Sequence, residues 1–541
     1  MKRFLAVLMA AVMALSLSAT ALAAEGDLII APAPPASGDE IDPGFNGYVD
    51  IALEEARARL PYKGVNIWLG GKYMTFSDAV PAIVGGRTQA PYRAVLEALG
   101  ASVAYDSGKI QAKFEDGSVM DLAIGSKTMT YTKGDKVTTV EMDVAPYIDA
   151  ATGRTFVPIR FIGETLGLGV TWSDELKVAY VVDWDAFVEE TDKDFSNFNA
   201  MLAASMKAQA AAGKNYKQAD TVTLSGVLAG QEALKPLKLT LTDDSLTDGA
   251  NSSGTMTLGV DLGGYKTMIE SLGEGVAEIV GMLDGAKVEY IANTENGIYL
   301  RSGLIALMSG GLVPENGWLG IDVNMNELYK ELGLDLDGIL GQVQNGSFTL
   351  GSLLRLICEN GALGQVMGYA APDETAEMLA AIYRPLFGND SVKVTKSGTT
   401  TTYSCKAGMN ELISAMLAVS PELSENDVKE ELSGMTFSFD LTMSVRGDQV
   451  TKVTANVDMA VEDIMSMTMK GSGDNRNTDL VVTIKAAEVG TLEIKISSRL
   501  TETSAKPLEK PAEGETVISY EELVDLIEQA YSDMIPDDQA A

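Results

Sequence analysis

The chain contains no histidine in 541 residues. That absence removes the general base of His-centred triads, the usual nitrogen ligand of zinc and copper, and the one side chain that titrates unperturbed near neutrality. Carboxylate chemistry survives it. Cysteine is nearly as scarce: Cys358 and Cys405 permit one disulfide and leave open whether it forms. Positive charge is also short. Forty-one Lys and Arg stand against 76 Asp and Glu, a net charge of −35. Such a surface repels phosphate backbones, so nucleic acid is not an expected partner. Aromatic residues make up only 6% of the chain, whereas methionine is plentiful at 25.

Long apolar runs are confined to the N-terminus. Lys2 and Arg3 precede an apolar stretch from Phe4 to Leu17, and Ala21-Leu22-Ala23 follows as a small-x-small site. These are the three parts of a secretory signal. The run is short for a membrane span, no Cys lies near the cleavage site to carry a lipid, and no later segment is apolar enough to cross a bilayer. The expectation is a secreted, soluble mature chain, extracellular or cell-wall associated, with no integral membrane segment.

A block of about 20 residues occurs twice, 67 positions apart. The first copy carries Gly86, Arg87, Thr88, Pro91, Arg93, Glu97, Leu99, Gly100, Val103 and Tyr105. The second carries Gly153, Arg154, Thr155, Pro158, Arg160, Glu164, Leu166, Gly167, Val170 and Trp172. A fixed-period repeat marks a duplicated supersecondary unit. Each copy predicts a strand, a Gly-Arg-Thr turn, a helix and a strand, with the two copies packed equivalently on one sheet. Tyr92/Val95/Leu99 and Ile159/Ile162/Leu166 give each helix one apolar stripe. Pro91 and Pro158 suit a first helical turn, and Gly100 and Gly167 the left-handed position past the helix end.

These residues resemble the copper amine oxidase N-terminal-like, or stalk, domain family, over about 64–184. The resemblance implies an accessory module of secreted bacterial proteins. In true copper amine oxidases this domain is not the catalytic one, and their copper ligands are histidines, which this chain lacks. An envelope module is therefore implied, and not an oxidase.

The expected organisation is a signal peptide (1–23), a linker (24–63), the stalk domain (64–184), a helical connector (185–219), a β-rich domain (220–500), and a linker, helix and acidic tail (501–541). The fold class is α+β: a small duplicated antiparallel sheet-plus-helices domain, then a larger curled antiparallel sheet with covering helices. Period-2 alternation is clearest from Phe437 to Ile496 and predicts one apolar face. Phe437, Phe439, Leu441, Val453, Val457, Met465, Met467, Met469, Val482 and Ile494 fall on it. Inserted helices should cover that face, joined by a stripe of Val524, Ile527 and Tyr531. The pattern is similar, in architecture only, to the half-barrels of lipoprotein carriers.

No catalytic, cofactor or metal residue stands out. Two turns bear on calcium. Asp474, Asn475, Asn477 and Asp479 lack EF-hand spacing. Asp335, Asp337 and Gly338 approach it, but with Gly333 and Gln344 where carboxylates belong. The repeated charges Arg87, Arg93, Glu97, Arg154, Arg160 and Glu164 read as architecture through i, i+4 pairs and turn hydrogen bonds, with a clamp for a cell-wall polymer as the functional alternative. The ligand face expected of Phe437, Phe439, Met465, Met467 and Met469 would take a lipid or other apolar molecule. The leading reading is a secreted, non-catalytic envelope protein whose stalk domain is a spacer or wall-associated module presenting the β-rich domain. A carrier for an apolar ligand is the alternative.

Overall fold

The computed structural model describes residues 43–534, apart from 211–214, 249–250, 272, 294–296, 322–340, 343–344, 346, 360–362, 364–368 and 421–422. The expected signal, residues 24–42 of the expected linker, the Asp335-to-Gly338 loop, the Tyr531 side chain and the acidic tail lie outside what is described. The rest of that linker is not open but carries a helix, Pro43–Ala58. The chain divides into two compact units. One holds the duplicated block and runs to Asp194, with residues 350–381 added. The other holds residues 195–349 and 382–541.

In the first unit the two copies meet strand to strand. β3 (Arg87–Pro91) and β10 (Thr155–Pro158) pair antiparallel at the centre of a four-stranded sheet flanked by β2 (Ala82–Val84) and β9 (Tyr147–Ile148). Ala90 lies opposite Val157, and these are equivalent positions of the repeat; Phe156 faces Pro91 as Pro158 faces Gln89. The register is therefore reciprocal about that pair. Each strand runs directly into a seven-residue helix, Tyr92–Ala98 or Ile159–Thr165. The prolines sit one step earlier than the first helical turn predicted for them. Pro91 and Pro158 are the N-cap residues, at φ −54° and −74°, and also the last residues of their strands. A fixed φ serves both the strand end and the turn into the helix. Gly100 and Gly167 both adopt φ +83°, and each N–H donates back to Glu97 or Glu164 at 3.0 Å.

The helices are buried on more than the single stripe expected of them. Leu96, off the predicted stripe, is fully buried with Ile110, Met120, Met129, Val157 and Ile162. Val95 faces a second core of Ile67, Ala90, Ile159 and Val181. Equivalent residues thus enter opposite cores: Val95 one, Ile162 the other. The position matching Leu96 is Gly163, where a Cβ would lie 2.6 Å from Val170 Cγ2. The second copy closes its strand onto its helix where the first inserts a leucine.

The copies do not share one sheet throughout, which corrects the expectation from their even spacing. β4 (Ala101–Asp106) starts a five-stranded meander with β5 (Lys109–Phe114), β6 (Val119–Ala123), β7 (Thr128–Lys133) and β8 (Lys136–Glu141). β11 (Gly169–Ser173) instead pairs with β12 (Val178–Val182), which takes β1 (Asn66–Leu69) in parallel on its other edge. Short hairpins supply the nearest edge in each case. Residues 350–381 belong to this unit through Trp68, whose indole N–H donates to both Asp373 oxygens at 2.9 and 3.0 Å, and through Arg355, paired with Asp185 at 2.8 Å.

The second unit is built on one curled 14-stranded sheet. Its strands are β13 (Tyr216–Leu228), β14 (Leu237–Thr247), β15 (Asn251–Asp261), β16 (Lys287–Asn293), β17 (Gly297–Arg301), β18 (Trp318–Ile321), β19 (Val392–Ser397), β20 (Thr400–Gly408), β21 (Met435–Arg446), β22 (Gln449–Val461), β23 (Met465–Gly473), β24 (Asn477–Ala486), β25 (Gly490–Glu502) and β26 (Val517–Ser519). The two runs join at the middle, where β25 pairs with β13. Every pairing is antiparallel except β18 with β26. The fold class is α+β, as the alternation predicts.

Over β19 to β22 the apolar face is covered by helices Ser196–Ala210 and Met409–Val419 and by Phe387, whose ring meets Phe439 edge-on at 5.6 Å. The last helix, Tyr520–Met534, does not join that cover. It packs against β18 and β26, and Ile527 is 36% exposed. Ser519 caps it, its Oγ accepting from the Glu522 N–H at 3.0 Å. Both cysteines are free and buried. Burial pushes each thiol up to about 12, and Cys405 donates to the Leu386 carbonyl at 3.0 Å.

Candidate functional site

The charged residues of the repeat are paired. Arg93 meets Glu97 at 3.4 Å and Arg160 meets Glu164 at 3.9 Å, each one helical turn on. Arg87 bonds Asp143 at 2.6 Å and the Gly86 carbonyl at 3.2 Å. Arg154 reaches Asp78 instead of a turn carbonyl. A cleft of about 220 Å³ brings Arg87 of one copy together with Arg160 and Trp172 of the other. Each cation there already has a carboxylate partner, so the cleft offers shape and an aromatic face more than net charge. Arg93 and Arg154 do not line it. The Asp474 turn is likewise occupied: its Oδ1 accepts from the N–H groups of Arg476 and Asn477 at 2.8 and 2.9 Å, the local bonding of an Asx turn.

The apolar face of the large sheet is the more distinctive surface. Side chains directly opposite across antiparallel strands share a face. The pairing places Phe439, Val457, Met469, Val482, Ile494, Leu224, Leu239 and Val260 in one row across eight strands. The neighbouring row carries Phe437, Met459, Met467, Ile484 and Leu492. Met465 lies at the end of the same face, half-buried. Burial changes along the rows. Phe439, Val457, Met467 and Met469 are no more than 4% exposed, whereas Leu224, Leu239, Leu241 and Leu492 are 37–38% exposed. The methionines and Phe439 therefore fill the covered half. The half-open part is leucine-lined, on β25, β13 and β14.

Beyond the intervening row of Leu480, Ile496, Val222 and Leu241, four residues from Leu224 and Leu239, the face turns polar. Thr478, Ser498, Asp220 and Asp243 stand opposite one another on β24, β25, β13 and β14. Gln218 donates to Asp220 Oδ2 at 2.6 Å. Ser245 and Tyr290 donate to Asp243 Oδ2 at 2.7 and 3.1 Å. The remaining oxygens, Asp220 Oδ1, Asp243 Oδ1 and Ser498 Oγ, are buried and have no hydrogen-bond partner among the described residues. Burial, with the Asp220 charge beside it, raises the Asp243 carboxyl above its usual range despite these two donors. None of these residues stands out in the sequence reading. The signal that could have found them is parity: Asp220 continues the series of Val222 and Leu224, and Asp243 that of Leu239 and Leu241, so both acids fall on the apolar side of their strands.

A raised folded-state value means that the folded chain holds the Asp243 proton more tightly than the unfolded one. The stability tied to it is fully present below the ordinary carboxylate value of about 4 and is lost as pH rises through the raised value. Asp243→Asn is therefore expected to be more stable than the parent at pH 7, by roughly 0.2–1 kcal/mol for removing one of two opposed like charges. The difference should disappear near pH 3. Denaturant midpoints at the two pH values check it, and equal midpoints at pH 7 would refute the repulsion.

Among the described residues no helix is long and apolar enough to cross a membrane, and no group of three or more Cys, Asp or Glu side chains is placed to hold a metal. No curated protein and no solved structure matches the chain. Residues 68–181 match the model of the copper amine oxidase N-terminal domain family. That stretch is the duplicated unit described above, and the family it matches is a non-catalytic domain.

Proposed function

We propose that this is an exported, non-catalytic envelope protein. Its duplicated module serves as a structural, wall-associated support, and its large sheet binds an apolar ligand. The observation that carries the reading is the half-open stretch of the apolar face. Four leucines on adjacent strands at the centre of a sheet, each more than a third exposed, form the kind of contiguous apolar surface that marks a binding site. Export rests on the Lys2/Arg3 and Phe4-to-Leu17 leader pattern and on the resemblance of the module. The paired state of its arginines suits a support more than a clamp.

The test is titration of the full secreted chain with an uncharged fluorescent hydrocarbon such as diphenylhexatriene. Saturable binding is expected, and Leu224→Asp with Leu241→Asp should weaken it at least tenfold while far-ultraviolet circular dichroism is unchanged. These positions are partly exposed, so a charge there need not unfold the sheet. Absence of saturable binding would leave the spacer role alone standing.

A further inference from the structure

The polar band beside the leucines holds buried oxygens for which the described residues supply no partner. Asp220 and Asp243 are directly opposed on adjacent strands, which sets their Cβ atoms about 4.5–5.5 Å apart. Ser498 stands opposite Asp220 on the other side and is 6% exposed. One oxygen from each of the three is buried and has no hydrogen-bond partner among the described residues. Neighbouring donors are spent on the other carboxylate oxygens: Gln218 on Asp220, and Ser245 and Tyr290 on Asp243. No N–H or O–H donor among the described residues reaches these three oxygens. Buried acceptors without donors are rare, and each calls for a specific cause.

Position narrows the class. Side chains on one face recur every second residue, about 7 Å apart along a strand. From Asp220 the same face of β13 continues to Val222 and then Leu224, and from Asp243 on β14 to Leu241 and Leu239. The half-open leucines thus begin about 7 Å from the acidic pair and extend to about 14 Å. A charged head at one end and an apolar strip leading away from it describe an amphiphile. A primary ammonium carries three N–H donors, and three oxygens await them.

Resting on the reading of this face as an apolar-ligand site, we propose that Asp220, Asp243 and Ser498 receive the primary ammonium head of an amphiphile whose chain lies along Leu241, Leu224 and Leu239. The carboxylates neutralise the charge and the serine hydroxyl takes the third N–H. Charge-assisted hydrogen bonds in a partly desolvated site are the strong ones.

The experiment compares ligands of one chain length below their micellar concentrations: dodecylammonium, dodecyltrimethylammonium and dodecanol, each displacing diphenylhexatriene from the full chain at pH 7. Dodecylammonium is expected to bind at least tenfold more tightly than either of the others. In Asp220→Asn with Asp243→Asn the advantage of dodecylammonium over the other two chains should vanish, and Ser498→Ala should reduce it severalfold. Equal affinity for dodecylammonium and dodecyltrimethylammonium would overturn the proposal, since it would reflect only attraction to an acidic surface. So would an undiminished preference in the Asn variant, or calcium chloride alone binding at these residues with no preference among the three chains. If dodecanol and dodecylammonium bind equally well, the apolar site stands without the ammonium receptor. If none of the three displaces the probe, the underlying reading fails.

Discussion

Phe387→Ala is expected to cost about 3–5 kcal/mol of stability. Phe387 is 1% exposed and sits between three other rings. Their centroids lie at 5.1 Å for Phe198, 6.2 Å for Tyr383 and 5.6 Å for Phe439. It therefore joins two helices to β21 on the covered half of the sheet. Truncation removes the buried area, the edge-on contact with Phe439, and the filling of a site that stiff neighbours cannot close. A denaturant titration of the full chain should show the midpoint of the second unit falling. Phe387→Leu should recover part of the loss. A change under 1 kcal/mol would mean that the cover is not held by this residue.

Ile162→Ala is expected to cost about 2–5 kcal/mol, in the first unit. Ile162 is fully buried in the core that also holds Leu96, Met129 and Val157, so residues of both copies and the five-stranded meander lose contacts together. Its equivalent, Val95, is 1% exposed in the other core, and Val95→Ala should cost less because fewer atoms are removed. Because the chain has two units, unfolding need not be two-state. The readout should be tryptophan fluorescence, to which Trp68, Trp172 and Trp184 of this unit contribute. If Ile162→Ala left that transition in place while Val95→Ala abolished it, the two cores would carry unequal shares of the fold.

The duplicated unit was legible because its constraints are local. Gly100 and Gly167 stand where the backbone adopts φ +83°, and a run of Pro, Arg, Glu and Gly at fixed spacing dictates a short capped helix. The alternation from Phe437 to Ile496 likewise revealed one apolar face, since strand parity is a property of the sequence itself. What parity cannot say is where a covering helix stops. Met467 and Leu241 fall on one face, yet one is 4% and the other 38% exposed, because distant helices decide which is covered. Leu96 escaped the single-stripe reading for a related reason: its helix lies between two cores, and only the second partner makes that position interior. The Asp220–Asp243 opposition depends on a register between strands whose loop gives no sign of it. Residues 350–381 fold with the first unit through Trp68 and Asp373, a pairing 305 residues apart that no local pattern encodes.

The reciprocal pairing of Ala90 with Val157 makes the edge that one copy offers the same edge that it accepts. A half-length chain with a single copy would be self-complementary, and two such chains could close as a dyad-symmetric homodimer. Joining them in one polypeptide replaces a bimolecular encounter with a tethered one, so assembly no longer depends on protein concentration. Fusion also releases each half from being identical to the other. Away from the axis the copies have diverged, one extending into a five-stranded meander and the other into a three-stranded sheet. At the axis they remain bound to each other, because a larger side chain at position 90 must be accommodated by the residue at 157.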